Sequence, residues 1–544
     1  MEIQELKDQL SEYDFENAST KELLLLNIVE LLIKKVEDLE EENKSLKTEI
    51  RKLKGGNDDP DIKGKSKGAK KFDKKNKNSN KPKPKGWKKK SKNNSLKIDK
   101  EVPLAVDKSK LPNDAVFKGT REKIIQGITF ARNNVKLKIE RWYSPSENKY
   151  YEAEISTNHQ DQFSKDLQAF IIMLSTKGNM GHDKIIELLE SIGAEISTGQ
   201  IERILNKNND KFHEEMNEAF EVARDLVGFM HTDDTGARHQ GDNWFTSVFC
   251  NHLCTMFKTT PRKNRLTVIQ NLIGRDDIEF LIDKNTIKAI KKSKVGKLYE
   301  EMLSTMIGQK FSSEEDLEAV IKVKYPKIVE QKLTQIKVAA AYAWLKSKGI
   351  ILIKALITDA ASQFASIVDI HALCWVHEIR HYTDLNPKLS QFKNILEEFT
   401  DKVQLFYQRL KQYQENPKKK EAKKIQLEFD NLFSTKTEYE ALNKVIAQTK
   451  KRAEGLLVVL EHPEIPLHNN HAEQQIRPYV IKRKIQFGTR SEDGLRSRDT
   501  FMSINMTCKK LGLSFYHFLR DRLLGTGEIP SLAEVMRTKM TVTA

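Results

Sequence analysis

The 544-residue chain lacks several features that would assign it to common classes. Its four cysteines are too few for a disulfide scaffold and suit a reducing compartment. No apolar run is long enough to span a membrane, because the longest candidate, 23–33, is interrupted by Asn27 and Glu30. No apolar leader opens the sequence either, since residues 1–16 are acidic and polar. We therefore expect a soluble protein of the cytoplasm.

Net positive charge is scarce outside one segment. The chain carries a formal charge of +16, but fifteen lysines and a single acid, Asp73, lie between Ile62 and Asn94. Almost the whole excess of positive charge is therefore confined to this stretch. A lysine-rich run broken by Gly, Ser, Asn and Pro buries too little apolar surface to fold. Its natural partner is a polyanion held by counterion release, although the composition is equally compatible with a solvated linker.

A seven-residue leucine repeat precedes the lysine-rich segment. Leucine occupies every d position, and mostly β-branched residues occupy a. The d positions are Leu25, Leu32, Leu39, Leu46 and Leu53, and the a positions are Val29, Val36, Asn43 and Ile50. This combination favours a parallel coiled coil of two helices, and the single polar Asn at a fixes the register. We predict a parallel coiled coil that makes the protein a homodimer, in preference to one amphipathic helix packed on its own core.

The next two regions predict a hairpin and a pair of short helices. Residues 135–155 alternate apolar and polar positions around a Ser-Pro-Ser-Glu-Asn-Lys turn, which is typical of a β-hairpin. Further on, residues 182–191 form an amphipathic pattern, Gly193 supplies a turn, and Ser197 is a candidate N-cap for a helix over 198–208. This outline is typical of a helix-turn-helix. Most helical hairpins bind no DNA, so the outline alone leaves the function open.

Apolar strands alternate with charged helical stretches over the rest of the chain. The predicted elements are a strand over 226–233, a turn over 236–243, a second strand over 244–257, a buried strand over 350–357, helical insertions over 263–348 and 385–460, and final helices over 497–511 and 514–523. The fold class is therefore an α/β core with two long helical insertions.

Three acidic residues lie where these elements begin or end. Asp233 ends the first apolar strand, Asp359 follows the buried strand, and Glu473 enters a helix. Carboxylates so placed repel one another unless a cation lies between them, and hard oxygen ligands suit Mg²⁺. Two such ions, about 3.5–4 Å apart, support phosphodiester chemistry. For any single aspartate, capping a strand or helix end is the more ordinary role.

The sequence around these acids has a recognisable arrangement. Six blocks carry it, at 231–238, 356–364, 374–382, 469–484, 487–496 and 510–519. Together they resemble the DDE transposases of the insertion-sequence-66 (IS66) family. The resemblance covers roughly residues 160–260 and 350–525 and, more loosely, the N-terminal heptads. The most specific block begins Asn469-Asn-His-Ala-Glu and continues to an Arg-Pro and an Arg-Lys pair.

The resemblance implies a fold and a set of site residues. Members have an RNase H-like, retroviral integrase-like core, in which Asp233, Asp359 and Glu473 would be the catalytic carboxylates and the ligands of two Mg²⁺ (or Mn²⁺) ions. Adjacent side chains on a strand point to opposite faces, so only one of Asp233 and Asp234 should face the metals, and the family pattern favours Asp233. The resemblance also places His377 and Arg380 beside the active site, against the DNA backbone.

Other polar clusters carry weaker predictions. The basic residues after Glu473 are candidates for gripping phosphates, although a solvated basic face is equally compatible; they are Arg477, Lys482, Arg483 and Lys484. Two Cys/His groups share one face of a predicted strand or helix, and packing or a phosphate contact is favoured there over metal binding; they are Cys250, His252 and Cys254, and Cys374, His377 and His381. The predicted hairpin contains no cysteine, which excludes the zinc module that many members carry there.

These inferences combine into one organisation and one function. The predicted domains are a dimerising coiled coil (1–60), a lysine-rich disordered linker (61–97), a small β-containing domain without zinc ligands (98–160), a helix-turn-helix-like DNA-binding region (161–223), an RNase H-like DDE catalytic domain (224–525) and a C-terminal tail (526–544). We predict a bacterial transposase, cytoplasmic and nucleoid-associated, that binds double-stranded DNA at element ends and target and catalyses Mg-dependent cleavage and strand transfer. Accessory proteins encoded by the same element are further partners. The alternatives are a catalytically inactive or domesticated DNA-binding protein and a stand-alone RNase H-like nuclease.

Overall fold

A computed structural model of the chain describes residues 18–53, 132–274, 278–293, 295–350, 353–364 and 367–543, with isolated residues and short runs at 10, 98, 100–104, 106, 120–121 and 123–125. The predicted lysine-rich linker, 61–97, lies outside the described residues. The chain divides into two units, one of residues 1–39 with 135–544 and one of residues 40–134. The sheet and the candidate site both belong to the first unit.

The helices and strands follow one another in this order. The first part of the chain contains α1 (Thr20–Leu53), β1 (Arg141–Ser144), β2 (Lys149–Glu152), α2 (Lys165–Thr176), α3 (His182–Ser191), α4 (Thr198–Asn206), α5 (Asp210–Val227), β3 (Phe229–His239), β4 (Asp242–Cys250) and β5 (Thr255–Thr260). The first insertion contains α6 (Arg265–Ile273), β6 (Phe280–Leu281), α7 (Lys284–Lys292), α8 (Lys297–Ser304), β7 (Lys310–Phe311), α9 (Glu314–Lys324) and α10 (Glu330–Ser347). The remainder contains β8 (Ala355–Thr358), β9 (Ile370–Leu373), α11 (Trp375–Thr383), α12 (Ser390–Glu415), α13 (Lys419–Leu432), α14 (Glu440–Lys451), α15 (Ala453–Leu456), α16 (Asn470–Gln486), α17 (Glu492–Leu511), α18 (Phe515–Leu524) and α19 (Leu532–Thr543).

A five-stranded mixed sheet in the order β5-β4-β3-β8-β9 organises the first unit. β3 pairs antiparallel with β4 and parallel with β8, while β4 pairs antiparallel with β5 and β8 pairs parallel with β9. In the parallel pair His231 lies opposite Ile357. The same register, carried two residues further, brings Asp233 and Asp359 side by side.

The strand bounds correct the sequence prediction at three places. Leu226 and Val227 end α5, and Gly228 at φ 74° turns the chain into β3, a left-handed conformation that glycine adopts without steric cost. β3 continues to His239 because β4 pairs with it throughout, so Asp233 lies inside a strand and not at its end. The predicted turn contracts to residues 240–241, and the predicted second strand is two strands, β4 and β5.

The two insertions lie where the sequence places them, and both are mainly helical. The first also contains a two-residue antiparallel pair, Phe280 with Phe311, which its charged sequence did not indicate. The second has an apolar core of its own around Trp375, whose ring lies 5.6 Å from that of Phe406. The described part of the chain contains no helix both long and apolar enough to cross a bilayer.

Helix α1 joins the core of the second insertion through a face other than the heptad leucines. Leu26 and Ile33 are 6% and 3% exposed in that core, whereas Leu25 and Leu32 are 60% and 59% exposed. Polar contacts fix the same face, because the Glu30 carboxylate accepts the two backbone N–H groups of residues 388 and 389 at 2.6 and 3.0 Å, just before α12. Leu25 and Leu32 therefore remain exposed, whereas Val29, at a heptad a position, packs against the same core.

The smaller elements match the sequence in part. β1 and β2 form the predicted hairpin, shorter than expected, with Ser144 opposite Lys149. Helices α3 and α4 lie where the helix-turn-helix outline puts them, and the Ser197 hydroxyl accepts the N–H of Gln200 as the predicted N-cap. The residues of the predicted C-terminal tail include α19, which packs on α5 and buries Leu532 completely.

Candidate active site

Three elements bring the predicted carboxylates together. Asp233 lies on β3, Asp359 follows β8 directly, and Glu473 lies in the first turn of α16, which packs against β3 and β4. The parallel β3–β8 register accounts for the proximity of the two aspartates. The local sequence explains the placement of Asp359, because the apolar strand β8 is buried in the sheet and the first acidic residue follows at its carboxyl end.

Asp233 lies in an unfavourable environment for a negative charge. Burial is the main cause that raises the pKa of its carboxyl; the charges of Asp359, Asp234 and Glu473 add to the rise, one backbone hydrogen bond opposes it, and the resulting pKa is about 6. That bond runs from the N–H of Asp234 to the Asp233 Oδ1 at 2.9 Å. The neighbouring carboxylates are thus close enough to destabilise the ionised form of Asp233.

Glu473 faces two cationic or polar side chains of α11. Its Oε1 lies 3.7 Å from the His377 Nε2, and its Oε2 lies 3.7 Å from the Arg380 Nη2. Both separations exceed a hydrogen bond, and Oε1 is buried without any hydrogen-bond partner in the described structure. His377 and Arg380 therefore lie beside the third carboxylate, as the resemblance implied.

The donor set suits a hard divalent cation. Within the described ranges, no three His, Cys, Asp or Glu side chains stand close enough to hold one metal ion together. The chemistry nevertheless fits. Burial and neighbouring negative charges disfavour the ionised form of Asp233, and the buried Glu473 Oε1 has no hydrogen-bond donor in the described structure. Carboxylate oxygens are the ligands that Mg²⁺ takes, and a cation would relieve both conditions.

The cysteines of the two Cys/His groups are packed in the interior. Cys250 ends β4 and Cys254 precedes β5, so the predicted common strand face is wrong: a turn separates the two residues. The Cys374 sulfur, just before α11, accepts the backbone N–H of Asn469 at 3.1 Å. All four cysteines of the chain are buried free thiols.

Asn469 connects the elements that carry the carboxylates, a role that sequence reasoning missed. Its Nδ2 donates to the carbonyl of Thr232 at 2.7 Å, and its Oδ1 lies 3.1 Å from the His231 Nδ1. Since the amide nitrogen faces Thr232, the oxygen faces His231, which makes Nδ1 the protonated ring nitrogen. The side chain is 1% exposed and makes no capping bond to its own helix. Its position just before a helix was the signal in the sequence, but it indicates a cap and not this contact.

Asp234 points away from Asp233 and is fully engaged elsewhere. Its Oδ1 accepts the Lys263 ammonium at 2.9 Å, and its Oδ2 accepts the Gln363 side-chain amide at 2.8 Å. Adjacent residues on β3 face opposite sides of the sheet, which explains the separation. The geometry agrees with the assignment of Asp233, and not Asp234, to the carboxylate cluster.

The basic residues after Glu473 divide between the interior and the surface. Lys482 is 3% exposed and its ammonium donates to the carbonyl of Ser175, so the prediction of a phosphate contact there is wrong for this conformation. Burial lowers the pKa of Lys482 to about 7. Arg483 is half-buried beside Thr235, while Arg477 and Lys484 are exposed and remain candidates for DNA contact.

The end of α16 is fixed against the end of β3 by a close backbone approach. A Cβ at Gly488 would lie 2.6 Å from the carbonyl oxygen of Arg238, so only glycine fits there. Next to it the Thr489 N–H donates to Arg238 at 3.1 Å, and the Gln240 N–H donates to Thr489 at 2.8 Å. Both ends of α16 are therefore tied to β3, which holds Glu473 at a set distance along the strand from Asp233.

Comparison with known proteins assigns this site a context. Residues 353–497 match the sequence profile of a family described as Transposase IS66 family, a range that includes Asp359 and Glu473. A curated relative, described as uncharacterized protein y4jO of Sinorhizobium fredii (strain NBRC 101917 / NGR234), is 33% identical over 314 residues. The match covers 57% of this chain and 97% of that protein.

Proposed function

This chain belongs to the transposase IS66 family, and from that premise we propose that it is a DNA transposase that cuts and rejoins DNA at the ends of its element. The observation that carries the proposal is the meeting of Asp233, Asp359 and Glu473 from three elements, with Asp233 destabilised by the other two. Charges of one sign held together without a packing reason are typical of a site built to take a cation.

The sheet supports an RNase H-like assignment for the core. Three antiparallel strands, β5-β4-β3, are followed across the sheet by two parallel ones, β8-β9. Asp233 lies on β3, and Asp359 directly follows β8. The helix with the third carboxylate packs across the same sheet. This arrangement presents three acids to one edge of the sheet, as two-ion phosphodiester chemistry requires.

Each residue of the site has a proposed task. Asp233, Asp359 and Glu473 would hold Mg²⁺ or Mn²⁺, two ions per site, which when bound lower the pKa of an attacking hydroxyl and stabilise the leaving oxygen. His377 and Arg380 orient the Glu473 carboxylate from α11 and place a positive charge where a phosphate approaches. Arg380 is half-exposed, which suits a contact with the DNA backbone.

Dimerisation and DNA binding belong to surfaces outside the site. The exposed leucines of α1 lie on one stripe at heptad spacing, which favours pairing with a second copy in a parallel coiled coil. Helices α3 and α4 are proposed to recognise the element ends, and Arg477 and Lys484 to grip phosphates near the cut. The protein would act in the bacterial cytoplasm at the nucleoid, with accessory proteins of the same element.

The experiment is strand transfer by the purified full chain on labelled DNA that carries the element end, with Mg²⁺, beside Asp359→Asn. We expect a joined product from the unaltered protein alone, because removing one carboxylate removes ligand charge while leaving the fold. Binding without product from either protein would contradict catalysis by the chain alone and favour an inactive DNA-binding protein. Cutting without joining, retained in a monomeric variant, would favour the stand-alone nuclease.

A further inference from the structure

A cleft of about 560 Å³ opens where the first insertion leaves the sheet. It lies between the chain that follows β5 and helix α10. Its cationic and amide lining includes Arg262, Lys263, Arg265, Gln331, Gln335 and Gln363, and no acidic side chain lines it among the residues described. A concave surface with three positive charges and several amide groups is complementary to an anion with many acceptor oxygens.

The neighbouring cavity differs in that acidic side chains line it beside the basic Arg262, Lys322 and Lys337. It measures about 620 Å³, shares Arg262 with the cleft, and is lined by Glu314, Glu315, Glu318 and Glu330. Lys337 is buried there between two of these acids, with its Nζ 2.8 Å from the Glu314 Oε1. The basic lining is therefore specific to the side of the insertion nearer β3 and is not a general property of its surface.

The cleft adjoins the two chain segments that carry the aspartates of the candidate active site, through Asp234 on β3 and through Gln363, four residues after Asp359. The Asp234 carboxylate holds Lys263 at 2.9 Å and Gln363 at 2.8 Å, and Asp234 directly follows Asp233 on β3. The Lys263 ammonium also lies 5.1 Å above the ring of Phe245, which fixes its direction. An ammonium carries three N–H donors, so this pairing leaves donors of Lys263 for a ligand.

We propose that this cleft binds the phosphodiester backbone of the DNA strand next to the scissile phosphate, and that Asp234 is a positioning residue that holds Lys263 and Gln363 at its rim. The Arg262 side chain is exposed and makes no hydrogen bond or ion pair within the described structure, so its guanidinium is available to a phosphate. The inference rests on the proposed function, and it assigns the start of the first insertion to substrate binding.

The test compares DNA binding by the full chain and by Arg262→Gln combined with Lys263→Gln. The probe is a fluorescent duplex that carries the element end, titrated over a range of salt concentrations. We expect the affinity of the variant to fall about tenfold or more. The slope of the logarithm of the binding constant against the logarithm of the salt concentration should decrease in magnitude by about 2, since each phosphate contact contributes about 0.9. Lys322→Gln combined with Lys324→Gln, two exposed lysines of α9, is the matched control and should keep the original slope.

Neutral phosphates make the test specific to position. Methylphosphonate groups, placed singly on either side of the cut, should weaken binding by the unaltered protein and have a much smaller effect on the Arg262/Lys263 variant. In single-turnover strand transfer, Asp234→Asn should raise the half-saturating DNA concentration several-fold, whereas Asp233→Asn should abolish the rate at any concentration. This contrast separates positioning from catalysis.

The outcomes distinguish the two proposals. An unaltered protein that neither binds the end nor joins it would contradict the proposed function itself. A second outcome is that the unaltered protein joins DNA, while the Arg262/Lys263 variant keeps the same salt dependence of binding and the same loss of affinity at each methylphosphonate. The cleft would then not be a DNA site, although the proposed function would stand. Thermal unfolding of each variant shows whether a lost signal reflects a lost fold.

Discussion

Asn469 and His231 share a side-chain hydrogen bond of 3.1 Å that links the start of the Glu473 helix to the strand of Asp233. The same amide donates a second hydrogen bond to the carbonyl of Thr232 at 2.7 Å, so that two hydrogen bonds connect Asn469 to β3. Burial lowers the pKa of His231 to about 3, so the ring is neutral and its donor nitrogen is set by Asn469. One buried amide thus holds the amino-terminal end of the Glu473 helix against the strand of Asp233.

Replacing Asn469 by alanine should therefore reduce activity more than stability. The change leaves the Thr232 carbonyl and the His231 Nδ1 without their partner, which costs about 1–3 kcal/mol of unfolding free energy. We expect strand transfer to fall by about a hundredfold, because a misplacement of about 1 Å at a catalytic group has effects of that order. Gln474→Ala, an exposed change one turn along the same helix, is the control and should match the unaltered protein in both measurements. Equal rates for both variants would show that the link does not position Glu473.

Asp233→Asn should abolish strand transfer and yet stabilise the fold. The pKa of Asp233 is about 6 in the folded chain, above about 4 for an unfolded aspartate, so ionisation costs stability as the pH rises through this interval. At neutral pH the neutral amide removes a cost on the order of 2 kcal/mol. Thermal unfolding without added divalent ions should show a higher Tm than for the unaltered protein. A lower Tm would mean that the carboxylate is needed for packing and not only for a cation.

The sequence indicates the candidate carboxylates but not the architecture that positions them. Asp233, Asp359 and Glu473 were assigned by family resemblance, and the strand register then accounts for the proximity of the two aspartates. The ends of β3 were misplaced because Gly228, a helix-ending glycine, follows apolar residues that suit a strand equally well. Local patterns cannot distinguish these cases, since the bounds of β3 are set by pairing with β8 over residues 229–231 and with β4 over residues 231–239.

Two further residues show why burial was not predictable. Lys482 belongs to a basic run that is typical of a solvated face, yet it lies inside because α2 presents the carbonyl of Ser175 to its ammonium. Leu26 neighbours a regular heptad leucine, and only the tertiary contact with the second insertion shows that α1 buries it. Both outcomes depend on residues more than a hundred positions away. A one-dimensional pattern contains no information on such contacts.

The two apolar faces of α1 should have separable roles. Leu26→Ala removes a buried side chain from the core of the second insertion and should cost about 2–4 kcal/mol, lowering the Tm. Its neighbour Leu25 is 60% exposed, so Leu25→Ala should leave the Tm nearly unchanged. By contrast, Leu32→Asp with Leu39→Asp should convert a dimer to a monomer in analytical ultracentrifugation without lowering the Tm of the insertion. A double variant that stays dimeric would exclude the heptad stripe as the dimer contact.

A buried histidine distant from the candidate site should make stability depend on pH. His213 on α5 is 6% exposed, with its Nδ1 2.7 Å from the Thr500 hydroxyl, and burial lowers its pKa to about 4. In the unfolded chain the pKa is about 6.5, so between these values the unfolded state binds the extra proton. Stability is therefore complete above about pH 6.5 and declines as the pH falls towards 4. The contribution of this one residue is on the order of 2 kcal/mol.

His213→Gln isolates this contribution, since glutamine keeps a hydrogen-bonding group and does not titrate. Urea unfolding at about pH 7.5 and about pH 5 should show a smaller difference in unfolding free energy for the variant than for the unaltered protein. His517→Gln, at an exposed position, should retain the full difference. If the loss of stability at acid pH is the same in all three proteins, the neutral state of His213 in the folded chain is ruled out as its source. The decline would then come from the other buried histidines, of which His371, with its pKa lowered to about 4 by burial, is the next to replace.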